Sequence, residues 1–216
     1  MHRSAHVTLA IVLAAGFIGL GGCSSDSSPA AKKEEEKKTP AAPVAPVSGQ
    51  SAAFQMYQMA RQWGGPDMQL LMVEDFPIDE VQPADGKYGA WRAKFLAPSR
   101  NKARNFTYAV VDAQGGLIKG ARAGEEEVYS KSPLVKPFTI SDLKIDTTKA
   151  LEVAKEQKEA QEYIKKNPTM PVHYMLEWTL QTAVPAWRVI WGASVGQSAF
   201  SIYVDAGSGK YLKTAH

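Results

Sequence analysis

The sequence predicts an α+β protein of two helix-plus-antiparallel-sheet repeats, each αβββ, and three observations predict it. The tripeptide Ala-Trp-Arg occurs at Ala90–Arg92 and again at Ala186–Arg188, and each copy runs through strand-like residues to Asp-Ala and a glycine-containing turn, at Asp112–Gly116 and Asp205–Gly209. A segment with apolar residues at helical spacing precedes each copy. Runs of strand length then alternate with clusters of Gly, Pro and Asp.

Composition sets the frame. The 216 residues are 44% hydrophobic and 22% charged, as in ordinary globular proteins. Basic and acidic residues, 25 against 22, leave a formal charge of +3, too small a field to point to nucleic acid. The one cysteine, Cys23, excludes an intramolecular disulfide and a cysteine metal cage.

Arg3 and the N-terminal amine precede an apolar run from Val7 to Leu20, shorter than the ~20 residues of a spanning helix, so residues 1–22 form an export signal. The run ends Leu20-Gly21-Gly22-Cys23, which resembles the lipobox of bacterial lipoproteins. That resemblance implies cleavage before Cys23, diacylation of its sulfur and a durable membrane anchor. Ser24 in place of aspartate implies, in a Gram-negative cell, the periplasmic side of the outer membrane. Residues 23–50 form a disordered tether: Lys32–Lys38 mixes charges that cancel, and Pro40, Pro43 and Pro46 lie among small residues.

The first repeat is expected over 51–120. Ala53, Phe54, Tyr57 and Ala60 mark a helix from Ser51 to Trp63, stopped by Gly64-Gly65-Pro66. Strands are expected over Met68–Phe76, Tyr88–Ala97 and Phe106–Val111, the second with Trp91, Ala93, Phe95 and Ala97 on its core face. Gly115 and Gly116 suit a hairpin turn, with Leu117-Ile118-Lys119 as a short strand after it. Arg100, Lys102 and Arg104 read as a solvated hairpin tip. Residues 121–145 read as a connector in which Glu125-Glu126-Glu127 is a solvated loop and Val135–Ile140 a short strand.

The second repeat is expected over 146–216. Asp146 is placed as the N-cap of one helix, with Ile145 and Ala150 as a hydrophobic staple, and Asn167-Pro168 ends it. Val172, Tyr174, Leu176, Trp178 and Leu180 share one face of the next strand, with His173 and Glu177 on the other. A strand through Trp187, Val189 and Trp191, a strand Phe200–Asp205, and a short Tyr211-Leu212-Lys213 strand follow.

The helix Thr148–Lys155, the Pro185-Ala186-Trp187-Arg188-Val189 strand and Ile202-Tyr203-Val204-Asp205-Ala206 with Gly209 resemble the PepSY-like domain family. The resemblance covers residues 146–213 well and only the strand half of 51–119. It implies a helix packed on an antiparallel sheet, in a family found in propeptides of secreted metallopeptidases and in exported bacterial proteins. It carries no active-site residue, and no peptidase domain is expected after the repeats, so inhibition in cis is not expected.

No catalytic residue, cofactor or metal site is expected. The sequence lacks Gly-x-Ser-x-Gly, His-Glu-x-x-His and Walker patterns, and His173, on a strand's polar face with Glu177 ~13 Å along, reads as a surface histidine. The expected function is that of a lipid-anchored envelope module that binds or regulates a polypeptide, with protease inhibition in trans as one form. A structural accessory subunit, or an enzyme of unrecognised type, are the alternatives. The expected contact is strand addition at Leu117, Ile118 and Lys119 or at Tyr211, Leu212 and Lys213.

Overall fold

The computed structural model describes residues 44–216, which belong to one compact unit. The export signal, Cys23 and most of the tether lie outside the described residues. The tether expected to reach residue 50 ends earlier, because Val47–Ser48 is a strand (β1) and Gly49–Gly64 a helix (α1).

The described elements are β1, α1, β2 (Gln69–Phe76), β3 (Lys87–Tyr88), β4 (Ala90–Ala97), β5 (Lys102–Ala109), β6 (Gly120–Val128), α2 (Thr147–Glu156), α3 (Lys158–Lys166), β7 (Val172–Trp178), β8 (Pro185–Ser194), β9 (Gln197–Asp205) and β10 (Tyr211–Ala215). Eight strands form one antiparallel sheet in the order β10-β9-β8-β7-β2-β4-β5-β6, and β1 pairs with β3 apart from it. Instead of two three-stranded units there is a continuous sheet with four strands on either side of the β2–β7 seam.

The fourth strand of the first half, β6, occupies the stretch expected to be a connector. Its acidic run meets the residues expected at a solvated hairpin tip. Glu126 accepts from Arg100 Nη2 at 3.0 Å and lies 3.5 Å from Lys102 Nζ, Lys94 pairs with Glu127, and Arg104 Nε donates to Gly124 O. Trp63 Nε1 also donates to Glu126 at 2.7 Å, and that bond above all holds the carboxyl below its ordinary range. Cross-strand charge complementarity selects this pairing, a signal invisible to periodicity because every residue of the run is polar or small.

The expected single second helix is two. Gln157 has extended backbone, φ −72° and ψ 132°, and its side-chain amide donates to Val153 O, one of the carbonyls exposed by the break. Asn167 closes α3 with its backbone and side-chain amides on Tyr163 O. In place of a strand over 135–140 there are isolated bridges, Leu70 with Phe138 and Val135 with Thr179, which wedge the connector between the diverging ends of β2 and β7.

The helices cover one sheet face. α1 lies over β2, β4, β5 and β6, burying Ala52, Ala53, Met56 and Ala60 while Phe54 turns outward, and α2 lies over β8 and β9. At the middle of this layer Trp91 and Trp187, both fully buried, meet edge to face with centroids 6.4 Å apart. Each indole N–H donates to the carbonyl two residues before its own helix, Trp91 to Val47 O at 2.9 Å and Trp187 to Ile145 O at 2.7 Å. The helix starts are joined across the seam: Gly49 N donates to Thr147 Oγ1, and Gln50 N and Thr147 N both donate to Asp146 Oδ1. One carboxylate thus serves the positive ends of two helices.

Candidate partner-binding surface

Side chains that alternate away from the core point to the helix-free face. The register lines up Arg92, Glu74, Met175, Arg188, Tyr203 and Lys213 across six strands. Arg92 pairs with Glu74 at 3.1 Å, and the Arg188 and Lys213 cations lie over the Tyr203 ring at 5.7 and 5.5 Å. The parallel row runs Lys94, Met72, Glu177, Ala186.

A groove of about 460 Å³ opens on this face where the seam meets the connector. Met72 and Met175 line it on either side of the seam, with Leu71 and Tyr129, where Leu71 belongs to a small buried cluster with Leu96 and Ala103 against which Tyr129 packs. Val128 and Val135 belong to its wall. Leu134 adjoins Val135, and its carbonyl accepts from Leu180 N at 3.3 Å. Val128 in that wall, with Leu134 and Leu180 extending from it, makes an apolar rim, the three exposed to 67%, 61% and 57%. Lys94, Glu127 and Glu177 are the charged lining residues. Burial raises the Glu177 carboxyl above its ordinary range, Arg188 offsetting part of the effect, and Glu177 makes no hydrogen bond among the described residues.

The segments expected to bind a partner lie at opposite borders, ~34 Å apart by strand spacing. Leu117, Ile118 and Lys119 do not form a strand. Gly115 and Gly116, both at positive φ, close a tight turn that bridges Leu117 to Ala113, and β6 begins only at Gly120. Tyr211, Leu212 and Lys213 lie on the border strand β10, with Leu212 as the extra residue of a bulge between the Tyr211–Val204 and Lys213–Tyr203 pairs. Each border carries a feature that discourages pairing with another chain, the acidic run on β6 and the bulge with Lys213 on β10.

His173 corrects the expectation of a surface histidine: it is 5% exposed and its Nδ1 lies 2.7 Å from Asp75 Oδ2. The carboxylate is an acceptor, so Nδ1 carries the proton. Asp75 Oδ1 accepts from Tyr174 N, and Tyr88 Oη donates to Val172 O at 2.6 Å. β2 and β7 pair only from Met72 to Glu74, and past that point these side chains supply the bonds that a neighbouring backbone would supply. Burial, with the Asp75 charge adding to it, pushes the Tyr88 hydroxyl far above the usual phenol range. The imidazole Nε2 is buried without a hydrogen bond to any described group. Asp75 and His173 thus bridge β2 and β7 where their backbone pairing stops, and among the described residues no hydroxyl or thiol hydrogen-bonds to the imidazole. Sequence reasoning missed it because 98 residues separate the partners.

No family model matches the chain, and no curated protein matches it. Among solved structures, a candidate lipoprotein from Clostridium difficile 630 superposes with a TM-score of 0.40 and 11% identity, over 80% of this chain and 93% of that one. A likeness of that depth transfers neither fold nor function.

Proposed function

We propose that this chain is a lipid-anchored cell-envelope protein that binds a polypeptide partner and has no turnover of its own. The observation that carries the binding is the groove on the helix-free face, where Met72 and Met175 line a cavity spanning the seam, Val128 stands exposed in its wall, and exposed Leu134 adjoins Val135 of that wall. The match of Leu20-Gly21-Gly22-Cys23 to the lipobox supports the anchor, and the Pro-containing stretch after it suits a spacer. The PepSY-like motifs agree with this reading, and a peptidase held in trans is one partner they bring to mind. Strand addition at β10 is the second mode of contact: the strand stands at the sheet border, while the bulge at Leu212 and the Lys213 charge work against it.

Capture from detergent-solubilised membranes tests the proposal with three baits: the native chain, the rim variant Leu134→Asp/Leu180→Asp, and Leu212→Pro. Proline is tolerated at bulges and border strands, so Leu212→Pro keeps the fold while disturbing β10. A partner lost by the rim variant alone supports the groove, and one lost by Leu212→Pro alone supports the border. A partner captured equally by all three, or a substrate turned over at a rate abolished by one polar substitution, overturns the proposal. For the anchor, labelled palmitate should enter the native protein and not Cys23→Ser.

A further inference from the structure

We infer that the groove is selective for positive charge: its occupant is an extended polypeptide segment that sets a lysine or arginine against Glu177 and apolar neighbours on Met72, Met175 and the Val128, Leu134 and Leu180 rim. The inference rests on the polypeptide reading above and adds to it the chemistry of the segment.

The three charged lining residues leave one negative charge over. Lys94 is committed to Glu127. Arg188 acts on Glu177 only through its charge: its Nε donates to Ser201 Oγ at 3.0 Å and its guanidinium lies over Tyr203, with no ion pair to Glu177. Glu177 is therefore a half-buried carboxylate with neither a hydrogen bond nor an ion pair among the described residues. A carboxylate taken from water without a partner is costly, and a cation arriving from outside removes that cost while forming a charge-assisted hydrogen bond. Directly across the seam from Glu177 is Met72. The stem of a lysine or arginine can lie along such a thioether surface while its head reaches the carboxylate, and methionine adapts to whatever apolar side chains flank it.

Size and rim favour a polypeptide over a small organic cation. The groove volume, about 460 Å³, falls within the range of ligand sites and exceeds one side chain. The exposed apolar surface extends past the cavity mouth on Leu134 and Leu180, where a small cation would leave it bare.

The test is calorimetric titration of the full chain in detergent with blocked heptapeptides of alternating leucine and lysine, leucine and norleucine, or leucine and glutamate, and with butylammonium alone. The lysine peptide should bind tightest, weaken with added salt, and lose about ten- to a hundredfold in affinity with Glu177→Gln. The norleucine peptide should bind both proteins alike. Glu74→Gln, which touches a carboxylate paired outside the groove, should leave lysine-peptide binding unchanged. Equal binding of the lysine peptide to native and Glu177→Gln protein overturns the inference, as does a glutamate peptide that binds as well, or butylammonium that binds as tightly as the peptide. Loss with Leu212→Pro but not with Glu177→Gln moves the contact to β10 and leaves polypeptide binding standing.

Discussion

Gly49→Ala adds one methyl group where the two helix starts pack on the tryptophan pair. A Cβ there would lie 2.6 Å from Trp187 Cη2, 2.8 Å from Thr147 Cγ2 and 3.0 Å from Trp91 Cη2. Carbon atoms rest at about 3.5 to 4.0 Å, so the contacts are too short by roughly 0.5 to 1.4 Å. None of the three neighbours can swing aside: all are fully buried, both indoles are held by their N–H bonds, and Thr147 Oγ1 also donates to Gly86 O at 2.6 Å. Overpacking of this kind costs about 1 to 3 kcal/mol. The gain in helix propensity, about 1 kcal/mol inside a helix, is smaller at a first helical residue. A net loss of about 2 kcal/mol is expected, which urea unfolding followed by tryptophan fluorescence would read as a midpoint lower by about 1 M. Trp187→Phe removes the Cη2 atom that makes the shortest contact, so the double variant should be more stable than the sum of the single losses. A Gly49→Ala protein as stable as the native chain, or strict additivity in the double variant, would refute the close packing of the helix starts on the tryptophan pair.

Three further outcomes follow from the same contacts. Trp187→Ala and Trp91→Ala should each cost about 3 to 5 kcal/mol in denaturant melts, and an unchanged midpoint for either would show that its indole is not buried. Asp75→Ala strands His173 Nδ1–H and Tyr174 N–H in the interior and should cost about 2 to 5 kcal/mol with faster exchange of the Tyr174 amide, whereas Asp75→Asn, which keeps one acceptor, should cost less. Glu177 has a raised folded-state pKa, so between its ordinary and its raised value the native state holds more protons than the unfolded one, and its contribution to stability falls as pH rises through that window; Glu177→Gln should raise the midpoint at neutral pH with little gain below the ordinary glutamate range, and a lower midpoint at neutral pH would sink this.

The legible part of the fold was the part written in alternation. Trp91, Ala93, Phe95 and Ala97 are all fully buried on one face of β4, as their spacing requires, and Asp146 caps α2 where the hydrophobic staple placed it. β6 was illegible because Gly-Ala-Arg-Ala-Gly-Glu-Glu-Glu-Val has no apolar face, and its pairing depends on the cations of β5. The break at Gln157 has no glycine or proline to announce it. His173 looked exposed because alternation assigns a face without knowing that Asp75 reaches past the end of the β2–β7 pairing. The groove was illegible for a related reason: Met72, Met175 and Glu177 come together only once β2 and β7 are neighbours, and four strands and two helices intervene between them in the sequence.

The seam also decides how the binding surface is built. Only three residue pairs join β2 to β7, Met72 to Glu177, Val73 to Leu176 and Glu74 to Met175. Beyond them the two sides are held by the Asp75–His173 pair, the connector wedge, the tryptophan contact and the shared capping by Asp146 and Thr147. The amides of Gly49 and Gln50 find their acceptors on the opposite half, and Trp91 finds its edge-to-face partner there. Either half alone would leave donors at a helix start and an indole face without partners, a combined loss large against the few kcal/mol that hold a small domain together. The groove draws Met72, Lys94 and Glu127 from one half and Met175 and Glu177 from the other, with the connector's Tyr129 and Val135 between. Its cation-seeking carboxylate and half of its apolar floor thus exist as one site only while the seam is closed, so every substitution that opens the seam should weaken lysine-peptide binding in step with stability, whereas Glu177→Gln should weaken binding and stabilise the fold at neutral pH.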